Sequence, residues 1–107
     1  MAGKRSLVLI DMLIEDGFRV GELYYFKGEV HRLRDDEKQG DRAEALLAYE
    51  KALASGGYPA EIYKSRGLVH LRMGDHSKAV ESFKRFLEVR PDAPSRDYIL
   101  SLIKPMS

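Results

Sequence analysis

The 107-residue sequence contains no cysteine, carries a net charge of only +1, and has no apolar run approaching 18 residues. Without cysteine, disulfides, thiolate zinc sites and cysteine nucleophiles are excluded, and the redox compartment stays open. A near-neutral chain offers no general electrostatic attraction for nucleic acid or an acidic membrane surface. The short apolar runs exclude a membrane-spanning helix. Leu7 to Ile14 follows Lys4-Arg5 and imitates a secretory signal, but Asp11 interrupts it and no small-residue cleavage site follows. No HExxH, GxSxG or GxxxxGK[ST] pattern occurs. Catalysis, a resident metal and a cofactor are therefore not expected. The compartment is not legible: the cytoplasm is the default, and the periplasm suits a fragment of an exported parent.

What is present is ordinary for a globular chain, with 33% charged and 44% hydrophobic residues. Length suggests one domain. Residues 6–16 read as a first helix, because Leu7, Ile10, Leu13 and Ile14 recur at helical spacing, with residues 1–5 loose before it. Gly17 is placed to end it. A second helix is expected over 22–34 and a polar loop over 35–40. A third covers 42–55, with Asp41 as N-cap and Glu44 as its capping-box partner. Gly56-Gly57-Tyr58-Pro59 is a turn. Two more helices, separated by Gly74-Asp75, fill residues 60–93. A last helix is expected over 94–103, with Pro105 closing it.

The stretch 60–93 organises the rest. Gly67 lies inside its first helix, where glycine costs about 1 kcal/mol relative to alanine. A glycine kept there implies that another helix comes too close for a side chain, with Ala79 as the expected partner. The pattern then repeats. Gly40-Asp41, Ala45, Tyr49 and Leu53 precede Gly74-Asp75, Ala79, Phe83 and Leu87 by 34 residues. Tyr24 and Gly28 precede Tyr63 and Gly67 by 39. The five extra residues belong to the turn around Asp35–Gln39, where added length costs little.

On Tyr63, Gly67, Gly74-Asp75, Ala79, Phe83, Leu87 and Pro91, the 60–93 stretch resembles a tetratricopeptide repeat, a helix–turn–helix unit of 34 residues. Arg66, His70 and Phe86 stand where the family has leucine, an aromatic and alanine. The resemblance implies an all-α solenoid of about six antiparallel helices. Residues 6–16 would be a half-repeat, 21–59 a first repeat with a lengthened turn, 60–93 a second repeat, and 94–103 a cap. It further implies a chain cut from a longer protein.

In that family the first helix of each repeat lines a concave groove that holds a partner protein or peptide. Carried over by position, the groove residues are Glu22, Tyr25, Glu29, Arg32 and Leu33, then Glu61, Lys64, Leu68, Leu71 and Arg72. Tyr25 and Glu29 stand where receptors for a C-terminal carboxylate have lysine and asparagine, so a chaperone-tail receptor is not implied. His31 and His70 share one position in the two repeats and are expected in the aromatic slot between helices rather than on a metal. His76 is expected to be solvated near a helix start.

Three other roles are open. Residues 23–29 resemble short repeat domains fused behind bacterial zinc peptidases, which would make this an accessory domain of a larger enzyme. An exposed apolar end, formed by Leu7, Leu9 and Met12 or by Ile99 and Ile103, would support self-association. The basic run His31-Arg32-Leu33-Arg34 would suit RNA, but Asp35-Asp36-Glu37 follows at once, and a helix end that attracts cations explains it.

Overall fold

A computed structural model describes residues 2–15, 17, 19–36 and 40–106, with side chains from Arg5 onward. The described chain is all-α: α1 (Ala2–Glu15), α2 (Val20–Arg34), α3 (Asp41–Ser55), α4 (Glu61–Arg72), α5 (His76–Val89), α6 (Arg96–Ile103) and a 3-10 turn (Lys104–Met106). It divides into two compact units, Met1–Pro59 and Ala60–Ser107. The division falls at the boundary between the two repeats read from spacing.

In the first unit α2 packs on α3, and α1 packs on α2. Ala45, Ala48 and Ala52 are buried along one side of α3. Alanine at these helical intervals keeps that side thin while favouring the helix. Gly28 uses the thin wall: a Cβ there would lie 2.3 Å from the Tyr49 ring. At the start of α2, a Cβ on Gly21 would meet the Gly56 carbonyl oxygen at 1.7 Å. Backbone therefore runs against backbone at that corner. Gly56 can follow α3 there because its φ of +75° suits glycine.

In the second unit α4 packs on α5, and α5 on α6 and the 3-10 turn. Ile62, Tyr63, Val69, Phe83, Phe86, Ile99 and Ile103 are buried. Asp75 caps α5 by accepting from the Lys78 N–H at 3.2 Å. Gly74, at φ +77°, makes the turn before it.

Several expectations need correction. What a Cβ at Gly67 would meet first is the Phe83 ring, at 2.5 Å. Long helical side chains lean toward their helix N-terminus, so Phe83 reaches back over the turn that carries Ala79. Ala79 is fully buried and leaves the space that the ring needs. Asp41 is the first residue of α3 rather than its cap. Gly40 holds the cap position with φ +72°, without a side-chain hydrogen bond. The capping box with Glu44 does not form, because the Asp41 carboxylate is engaged elsewhere. The first helix starts at Ala2 rather than Ser6, and α2 at Val20 rather than Glu22. The last α-helix starts at Arg96 rather than Pro94, and Pro105 sits within the 3-10 turn. Ile99 and Ile103 are buried, at 0% and 7% exposure, so they form no open apolar end. Of the lengthened turn, Glu37, Lys38 and Gln39 lie outside the described residues, as does Asp16.

Candidate functional site

Glu22, Tyr25, Glu29, Arg32 and Leu33 follow one another at three-, four- and one-residue steps, so α2 presents them on one side. The structure ties three of them together. Arg32 donates to Glu29 twice, Nε to Oε1 at 3.1 Å and Nη2 to Oε2 at 2.8 Å. The Tyr49 hydroxyl, coming from α3, donates to Glu29 Oε1 at 2.6 Å. The Tyr25 ring tilts against that of Tyr49, with centroids 6.4 Å apart, and against Phe26 at 5.5 Å. The hydrogen bonds to Glu29 hold the Arg32 guanidinium above its ordinary value, against the opposing effect of burial.

Two consequences follow for this face. Glu29 is not an isolated anion, because Arg32 satisfies it in a two-pronged pair. Tyr25 and Arg32 are held in place by neighbours in the same unit. Leu33 is different: it is 73% exposed. Phe26, 44% exposed and two turns earlier, adds a second apolar group that the positional carry-over missed. Its signal was available, since residues seven apart return to nearly the same side of a helix. Glu22 makes only a loose ion pair with Arg19, at 3.7 Å.

On α4 the corresponding Glu61 and Lys64 engage residues beyond their own helix. Glu61 pairs with Arg90 at 3.1 Å. The Lys64 ammonium stands over the Phe86 ring, 5.7 Å from its centroid. Leu68 and Leu71 are half-buried and Arg72 is exposed.

Behind the α2 face lies a buried polar knot. His31 Nδ1 is 2.9 Å from Asp41 Oδ1, and both residues are buried. The other carboxylate oxygen accepts from the Asp36 N–H at 2.8 Å and lies 3.4 Å from Arg34 Nε. Burial alone would raise the Asp41 carboxyl. The hydrogen bonds from His31 and from the Asp36 N–H, with the Arg34 charge, outweigh burial and hold it below the usual carboxylate range. His31 thus does sit between the helices of its repeat, held by a carboxylate. His70 is half-buried and His76 is exposed. Among the described residues, no group of three or more His, Asp or Glu side chains is placed to share a metal ion. No helix among them is long and apolar enough to cross a membrane.

With two helix pairs each closed by an aromatic ring over a glycine, the fold is that of a helical-repeat protein. Residues 60–93 match the tetratricopeptide repeat family, so the chain carries a repeat of that family over α4, α5 and the turn after them. Photosystem I assembly protein Ycf3 of Synechococcus sp. (strain CC9605) is 30% identical over 90 residues. That similarity takes in 81% of this chain and 50% of the relative, so the chain spans about half the length of the curated protein it matches.

Proposed function

We propose that this chain is a protein-interaction module that holds a partner polypeptide against the first helices of its repeats, without chemistry of its own. The observation that carries the reading is Leu33. Leu33, 73% exposed, shares its side of α2 with Phe26, 44% exposed, beside a side-chain network held within the same unit, so the pair offers apolar surface to a partner. Fixed polar groups next to exposed apolar ones are what a docking face needs, because little side-chain entropy is left to lose on binding. On this reading Leu33 and Phe26 supply apolar contact on α2, and Leu68, Leu71 and Arg72 supply contact on α4. Glu29, Arg32 and Tyr25 position that face rather than grip the partner by charge. The similarity to a protein named for photosystem assembly supports a role in bringing polypeptides together.

The test is affinity capture followed by mass spectrometry, with the wild-type chain, a Phe26→Asp/Leu33→Asp variant and a Leu47→Asp control. Leu47 is exposed on α3 and lies outside the proposed face. A partner retained by wild type and control but lost by the double variant is the expected result. Equal retention by all three would refute the assignment of this face.

A further inference from the structure

Helix α1 is apolar on two opposite sides. Ile10 is buried, with Leu7 and Ile14 half-buried beside it. Val8, Leu9 and Met12, on the opposite side, are 56%, 59% and 58% exposed. Together with Arg5 they line a shallow surface depression of about 380 Å³. Arg5 and Glu15 are both exposed, at the two ends of the same stripe. Neither forms an ion pair among the described residues. The stripe therefore runs cation, three apolar groups, anion.

That order is self-complementary in one direction only. Let two copies of α1 lie side by side and antiparallel, related by a two-fold axis near residue 10. Residues whose numbers sum to about 20 then face each other, so Val8 meets Met12 of the second copy and Arg5 meets its Glu15. A two-fold contact uses the same patch on both molecules, and this patch satisfies that condition in the order of its charges and apolar groups. A parallel pair would instead set arginine against arginine and glutamate against glutamate, which is unfavourable. Arg5 and Glu15 stand about 15 Å apart along the axis at 1.5 Å per residue, so both ends of the seam can close at once.

We propose that the occupant of this open face is a second copy of the chain, docked as an antiparallel α1–α1 pair. Three apolar residues per helix make a seam smaller than the standard interface of about 1,200–2,000 Å². The dimer is accordingly weak and concentration-dependent.

Sedimentation velocity from about 10 to 500 µM reads this directly, with far-UV circular dichroism to confirm folding of each variant. Wild type should shift from monomer toward dimer across the range. Met12→Asp should weaken dimerisation by about tenfold or more, and Arg5→Glu by about three- to tenfold. The Arg5→Glu/Glu15→Arg double swap should return Kd to within about twofold of wild type, because the antiparallel pairing is restored with its signs reversed. Should Met12→Asp fail to fold, the charge-swap series decides alone. A monomer at every concentration would overturn the proposal, as would a dimer indifferent to Arg5→Glu, or a double swap no better than the single variant. The result is separate from the partner-binding face, since none of these positions lies on α2 or α4.

Discussion

The two repeats share one steric device and differ in what surrounds it. In the first, Gly28 lies under Tyr49; in the second, Gly67 lies under Phe83. The single oxygen that distinguishes tyrosine from phenylalanine reorganises its surroundings. Tyr49 donates to Glu29, and Glu29 holds Arg32. At the matching places, 39 residues on, α4 has Leu68 and Leu71, and Phe83 has no hydroxyl to offer. The paired aspartates diverge too. Asp75 caps a helix, whereas Asp41, at the equivalent place, is buried on His31 and the Asp36 N–H. Packing is what the repeats have in common, and polar groups give each its own surface. Tyr49 joins the two, packing through its ring over Gly28 and ordering the α2 surface through its hydroxyl.

The glycines should give the largest effect. Gly28→Leu and Gly67→Leu should each cost about 3 kcal/mol in urea melts, since a Cβ alone already meets an aromatic ring. Gly74→Ala, with nothing within 4 Å of its added Cβ, should cost about 1 kcal/mol, from its left-handed φ alone. Equal losses at all three positions would break the common device.

Next come the aspartates. Asp41→Ala strands His31 and the Asp36 N–H and should cost about 2–3 kcal/mol. Asp75→Ala loses one cap and should cost about 1 kcal/mol. Equal costs would show that the two positions do the same work. Asp41 also carries a pH signature. Its carboxyl is held below the usual range in the folded chain, so its stabilisation is complete above about pH 4, the value in the unfolded chain. It is lost as pH falls through the folded value. Thermal melts of Asp41→Asn should therefore depend less on pH below about 4 than those of wild type.

The tyrosine hydroxyl sharpens the contrast most. Tyr49→Phe makes the first repeat resemble the second and should cost about 1–2 kcal/mol, with the aromatic packing over Gly28 kept. Circular dichroism melts check the stability. If the loss is undetectable, the Glu29 network does not depend on its hydroxyl donor.

The packing pattern was legible in the sequence because small and aromatic residues recur at fixed spacing along a helix. Gly28, Gly67, Ala45, Ala79, Tyr49 and Phe83 all proved to be buried positions. What spacing could not show was which ring leans over which glycine, since a side chain's direction along the helix decides that. Asp41 was misread for a related reason. Its local motif fits a capping box, but its partners are His31, ten residues back, and a backbone N–H across the turn. The α2 face was placed by position alone, and position does not distinguish Glu29, satisfied by Arg32 and Tyr49, from Leu33, left in solvent.

The turn between α2 and α3 is fastened at its base. Asp36 donates its N–H to the Asp41 carboxylate, and the Asp41 N–H donates back to the Asp36 carbonyl at 3.0 Å. These two bonds form a buckle between residues 36 and 41. Sequence inserted between its halves need not disturb the helices on either side, and a longer closed segment adds only a logarithmic entropy cost. This is a natural place to graft an epitope or a fluorescent reporter with the helices on either side kept.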